Sequence, residues 1–144
     1  MKIPWKVLAL GVLTGSIASQ GSATTSSTAR IGALLAGVYE PRGGDSDGGG
    51  SLLMEVDAET GRICYTLTAR RIALTNSASL HQGEQWKRGP AVLALDVTGP
   101  DGDVCTAADP DLVRRMIAQP ESYYVNISNW QFPDGALRGQ LEAK

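Results

Sequence analysis

His81 is the only histidine in this sequence of 144 residues, and Cys64 and Cys105 are the only cysteines. A zinc or copper site built on His81 would need carboxylates for its other ligands. A lone imidazole hydrogen-bonded at a strand end is the expected role. Asp45-Ser46-Asp47-Gly48 and Asp101-Gly102-Asp103 look like fragments of calcium loops. Counting from Asp45, Gly50 takes the sixth position, but Val56 holds the twelfth, where a bidentate glutamate belongs. Both fragments therefore read as solvated turn acids. Trp86 and Trp130 fall in predicted loops, where they could stack on sugar rings or anchor a protein partner. The ordinary alternative is that each folds back to cap an end of the fold. Arg70-Arg71, Lys87-Arg88 and Arg114-Arg115 are pairs rather than a stripe and read as solvated faces. Asn126-Ile127-Ser128 matches the N-glycosylation triplet, but within a predicted strand it is expected to stay unmodified.

The elements that must position these groups are short and mostly of period two. Leu52, Met54 and Val56 share one face of a strand, and Ile63, Tyr65 and Leu67 share one face of the next. Cys64 then lies on the polar face, where a loop cysteine could reach it from outside. Residues 30–39 suit a first or edge strand, residues 91–97 alternate again, and residues 72–81 are ambiguous but hold a short strand candidate. Residues 82–90 form a polar loop, and 99–103 turn the chain toward Cys105. One helix is marked over 109–118: Asp109 as N-cap, Pro110 at its first position, an apolar stripe of Leu112, Val113, Met116 and Ile117, and Pro120 as the stop. Residues 123–128 and 136–141 read as two strands around a Pro133-Asp134-Gly135 turn. The fold expected is all-β, an antiparallel sandwich or barrel of about seven or more strands with one short helix.

The N-terminus carries Lys2 and Lys6, an apolar stretch over 7–18 too short to cross a bilayer stably, and small residues Gly21-Ser22-Ala23. Residues 1–23 are expected to be a secretory signal peptide, with an uncleaved anchor as the rival reading. No cysteine follows the apolar stretch to carry a lipoprotein anchor. Residues 24–29 read as a flexible lead-in and 30–144 as one domain. Cleavage would remove two of the 13 basic residues and none of the 15 acidic ones, moving the net charge from −2 to about −4. That excludes a nucleic-acid or anionic-membrane footprint, and no membrane insertion is expected after cleavage. An exported chain meets an oxidising compartment, so a Cys64–Cys105 disulfide is expected. The protein is expected to be secreted, with the cell envelope or periplasm as alternatives, and monomeric.

The segment Tyr123-Tyr124-Val125-Asn126-Ile127-Ser128, then Phe132-Pro133-Asp134-Gly135-Ala136-Leu137-Arg138-Gly139-Gln140-Leu141, closely resembles the CHRD (chordin) domain. Members of that family end in a Tyr-Tyr-Val-Asn-Val-His and Phe-Pro-x-Gly-x-Ile-Arg-Gly-Gln-Leu pattern. Gly37-Val38-Tyr39-Glu40-Pro41, Ile63-Cys64-Tyr65-Thr66-Leu67, Gly89-Pro90-Ala91-Val92-Leu93 and Asp111-Leu112 ahead of Pro120 agree with it in order, so the likeness covers about residues 32–141. The resemblance implies an extracellular β-rich module, found in bacterial secreted proteins and in chordin, with no catalytic activity generally established. Chordin binds growth factors of the bone morphogenetic protein class, but with other modules beside this one, so that activity does not transfer.

Many relatives carry a His-x-His-x-Gly stretch and a histidine after Val-Asn-Val, a cluster suited to a transition metal. The corresponding positions here are Ser79, His81 and Ser128, so hydroxyls replace two of the three imidazoles and neither metal nor cofactor is expected. If the family geometry persists, Ser79, His81 and Ser128 lie near one another. A serine–histidine nucleophile would also need an orienting acid and an oxyanion hole, and no Gly-x-Ser-x-Gly surrounds either serine. The resulting expectation is a secreted, non-enzymatic module that binds an extracellular protein or glycan, or serves as a structural unit. The alternatives are a small metal-dependent redox enzyme of superoxide-dismutase-like type and a carbohydrate-binding module.

Overall fold

A computed structural model of the protein describes residues 26–144. The expected signal peptide, and residues 24–25 of the lead-in, lie outside the described residues. In chain order the strands are β1 (Thr28–Ala36), β2 (Gly49–Asp57), β3 (Arg62–Arg70), β4 (Thr75–Gln82), β5 (Ala91–Leu95), β6 (Val104–Ala107), β7 (Tyr123–Asn129), β8 (Leu137–Gln140) and β9 (Glu142–Ala143). Among the described residues one α-helix, α1 (Pro110–Ala118), precedes β7. The sheet runs β5-β4-β7-β8-β1-β2-β3-β6, with β9 added on β1, and the strand pairs are antiparallel. It curls into a half-barrel, which agrees with the expected class.

Alternation decides which face turns inward. Leu52, Met54 and Val56 of β2 are buried, as are Ile63, Tyr65 and Leu67 of β3 and Tyr123, Val125 and Ile127 of β7. With Ile31, Leu80 and Leu137 they line one continuous core. The open side is bridged by the chain leaving β5. There the amides of Thr98 and Gly99 both donate to the Leu67 carbonyl, at 2.9 and 3.2 Å, while the Leu67 amide donates to Thr98 Oγ1 and the Asp96 amide to the Tyr65 hydroxyl.

Helix α1 starts where its cap requires. The Asp109 carboxylate accepts from the Asp111 amide at 2.9 Å, a contact worth about 1 kcal/mol. Leu112, Val113 and Met116 turn into the core, and Pro120 opens a short 3-10 turn after the helix ends.

Three local readings differ from the sequence expectation. Strand β1 stops at Ala36, its last register partner being Gly49, and residues 37–39 form a 3-10 turn instead of continuing the strand. It also starts at Thr28, because the ladder with Asp57 and Val56 extends into the expected lead-in. Cys105 sits on the short strand β6, directly opposite Cys64 on β3, rather than in a loop. The two sulfurs are bonded. Strand β4 alternates over Ser77–His81, with only Ala78 and Leu80 buried, and a register shift at Asn76 breaks the period before it, so the sequence pattern over 72–81 is weak.

Candidate functional site

The outer face of β4, β7 and β8 holds a polar array under three loops. Register sets Ser77 opposite Ser128, Ser79 opposite Asn126 and His81 opposite Tyr124; across β7 and β8, Asn126 faces Arg138 and Tyr124 faces Gln140. Period two sends all of these side chains to the face opposite the core.

His81 Nδ1 lies 2.9 Å from the Gly89 carbonyl, which can only accept, so Nδ1 carries the proton. Nε2 then accepts from Ser79 Oγ at 2.8 Å. The imidazole also stacks on Tyr124, with centroids 4.9 Å apart and planes 12° from parallel. Both ring nitrogens are therefore engaged, and the group orienting Nδ1 is a backbone carbonyl, not the carboxylate that a serine–histidine nucleophile needs. Ser128 does not join them. It bonds Ser77 instead, two register pairs along the strand, about 13 Å from His81 at the usual rise.

The centre of the array is Arg138, only 2% exposed. Its Nη1 donates to the Lys87 carbonyl at 2.8 Å and its Nη2 to the Glu84 carbonyl at 2.9 Å, while the guanidinium lies 3.5 Å from the centre of the Tyr124 ring. Gln140 Nε2 donates to the carbonyls of Gly83 and Glu121, and the Gly89 amide donates to the Tyr124 hydroxyl. Loop 83–89 is thus fastened from below through its main chain.

A buried carboxylate, Glu40, accepts from Asn126 Nδ2. Gly135 passes directly beneath it with φ +141°, and a Cβ there would come within 2.4 Å of the carboxylate, so only glycine fits. Burial raises the Glu40 pKa above its ordinary 4.5, although the charges of Arg138 and Arg88 pull it back. Burial likewise lowers the pKa of Arg138. On the outside, Arg42 and Arg88 converge on Asp134 at 3.2 and 3.4 Å, linking the three loops, and Arg42 holds that exposed carboxyl below the usual range.

The raised Glu40 has a measurable sign. From pH 4.5 up to its folded value the folded chain holds this proton more tightly than the unfolded one, so stability falls as pH rises through that window. Glu40→Gln keeps an acceptor for Asn126 and removes the charge. Its urea midpoint relative to the wild type should climb with pH across that window and then level off; a difference independent of pH would mean that Glu40 is not raised.

Against this geometry, a family model for the CHRD domain matches residues 31–141, most of the chain. The chain belongs to the CHRD domain family. No curated protein and no solved structure matches it. The CHRD family is a non-catalytic domain family whose members are typically extracellular. Among the described residues, no three His, Cys, Asp or Glu side chains of this CHRD domain gather where they could hold one metal ion, and no helix is long and apolar enough to cross a membrane.

Of the residues singled out in the sequence, this CHRD domain joins Ser79 to His81 and Cys64 to Cys105, and leaves Ser128 with Ser77. Trp86 and Trp130 do not fold back as caps: they are 54% and 73% exposed. Asp45 accepts from the Asp47 amide in a turn, and Val56 points into the core rather than toward a cation. Asn126 lies in β7 with its amide on Glu40. Sequence reasoning missed Glu40, Tyr124, Asn126, Arg138 and Gln140 as members of the array. The signal for most of them was present, in the polar alternation of 124, 126 and 128 and of 138 and 140.

Proposed function

We propose that the protein is an exported, non-catalytic CHRD module that binds an extracellular or envelope partner through the rigid loop over residues 83–90. The observation that carries this reading is the use to which the polar array is put. The shortest hydrogen bonds that Arg138, Gln140 and the His81 Nδ1–H donate go to main-chain carbonyls of residues 83, 84, 87, 89 and 121, and the one other bond, from Arg138 Nη2 to Gln140 Oε1 at 3.4 Å, stays within the array. Groups engaged in this way brace a loop; they are not free to turn over a substrate. The braced loop presents Trp86 outward with φ +66°, a left-handed backbone that costs a bulky residue about 1–3 kcal/mol and persists only where the surroundings enforce it. A rigid exposed indole is the kind of side chain that concentrates interface energy.

A second reading, carbohydrate binding, is favoured by a groove of about 260 Å³ beside this loop. Leu34, Tyr39, Gln85, Arg138, Gln140 and Glu142 line it, and Tyr39 offers an aromatic wall with the Gln85 amide and the Glu142 carboxylate beside it, groups suited to hydroxyls.

The test is the Trp86→Ala protein, screened with the wild type against a glycan array and against proteins of its native medium or envelope. Stability should change little, because the indole is exposed and alanine, which keeps the Cβ, meets the left-handed backbone at a similar cost. Retention by the partner should drop about tenfold or more. Stoichiometric copper or zinc with redox turnover in the purified protein, lost in His81→Ala, would replace this reading with an enzymatic one.

A further inference from the structure

The Cys64–Cys105 bond lies on the outer surface, with Cys105 exposed and Cys64 half-buried. Strand β3 lies between β2 and β6, so seen from Cys64 the bonded sulfur is on the β6 side. On the opposite side, over β1 and β2, a cavity of about 460 Å³ opens, and Arg30, Glu55, Asp57, Arg62 and Cys64 are among its lining residues. A thiolate that displaces a sulfur approaches from behind the bond that breaks. For Cys64 that approach runs through the cavity. At the other sulfur, Arg62 Nη2 lies 3.6 Å from Cys105 Sγ. A guanidinium beside a sulfur stabilises it as a thiolate and so makes it the better leaving group.

We propose that this disulfide is a directional thiol-exchange site: a small peptidic thiol enters the cavity over β1–β3 and attacks Cys64, and Cys105 leaves as the thiolate beside Arg62. The incoming thiol first loses its proton to solvent. Its sulfur electron pair then forms a new S–S bond to Cys64 Sγ, the Cys64–Cys105 bond breaks, and that bond's electron pair remains on Cys105 Sγ. The product is a mixed disulfide at Cys64, with no oxidant consumed. Other charges share the site. Asp57, paired in register with Arg62, draws on the same guanidinium, and Arg30 is bonded to Glu55, so the positive charge left for Cys105 is that of Arg62.

Glutathione serves as the probe on the intact, folded chain. After incubation at about pH 8, where a thiol is substantially ionised, free thiols are trapped with N-ethylmaleimide and the peptides mapped by mass spectrometry. The glutathione adduct should sit on Cys64 and the alkyl group on Cys105, in about tenfold excess over the reverse, at a rate flat with urea below the unfolding transition. An adduct mainly on Cys105 or divided evenly, or a rate that climbs with urea in step with global unfolding, would overturn the proposal. Arg62→Gln should slow exchange by about threefold or more, because raising the leaving-group pKa makes the departing thiolate leave more slowly. In a Cys64→Ser chain, Cys105 should titrate below the ordinary ~8.5, and adding Arg62→Gln should bring it back up. An Arg62→Gln chain that exchanges at the wild-type rate would refute the directing role of that guanidinium.

Discussion

Arg138→Met will destabilise the domain by about 3–5 kcal/mol, the largest loss expected from any single substitution outside the core. Methionine approximates the volume and tolerates an irregular site, so little of that loss is a cavity. It comes from what the guanidinium leaves behind. The Glu84 and Lys87 carbonyls lose their donors, the Tyr124 ring loses its cation, and buried Glu40 loses the positive charge that offsets its desolvation. Each buried acceptor left unpaired costs about 1–3 kcal/mol, partly relieved if water enters. Arg138→Lys should recover less than half, because one ammonium cannot reach both carbonyls with the planar fork that Arg138 uses. Urea unfolding gives the magnitude. Amide exchange and proteolysis identify the cause, and both should accelerate first in residues 83–90. Unchanged protection there would refute the bracing role.

Removing both cysteines, as Cys64→Ala with Cys105→Ala, will cost about 4 kcal/mol on the loop-entropy account for a bridge spanning 41 residues of sequence separation. The double replacement avoids an unpaired thiol on the outer surface. Domains of this size are commonly stable by only about 5–15 kcal/mol, so the variant should fold with its melting temperature sharply lowered. Loss should appear first at β6, a four-residue edge strand that pairs only with β3. A reductant added to the wild type should reproduce the effect. Equal stability of the bridged and unbridged chains in urea would show that the link does not constrain the unfolded state.

The elements that read clearly in the sequence are those whose information is local. The alternation of Leu52, Met54 and Val56 specifies a strand and its buried face, the Asp109-Pro110 cap fixes where α1 begins, and the turn at Pro133-Asp134-Gly135 sets the last hairpin. Strand β6 was illegible because four residues, Val104–Ala107, carry too little pattern to distinguish a strand from a turn. The array failed for another reason. Arginine in a sequence reads as exposed, and nothing near Arg138 shows that its partners are carbonyls 51 and 54 residues earlier. Ser128 was placed near His81 by family analogy, yet the antiparallel register alone sends it to Ser77. Pairing across strands is a long-range property, and no window of sequence contains it.

The fastening of loop 83–89 also has a consequence for engineering. The array holds the loop almost wholly by main-chain atoms: carbonyls of Gly83, Glu84, Lys87 and Gly89, and the Gly89 amide. The loop side chains of Glu84, Gln85, Trp86, Lys87 and Arg88 are exposed. Gly89 must remain, since a Cβ there would overlap the Gln82 carbonyl at 1.6 Å. The base grips a backbone and is indifferent to most of the letters written on it. Four neighbouring positions, 84–87, can therefore be randomised as a library on a preorganised, single-disulfide scaffold, with Arg88 kept for its ion pair to Asp134 and new specificities selected while the support stays the same.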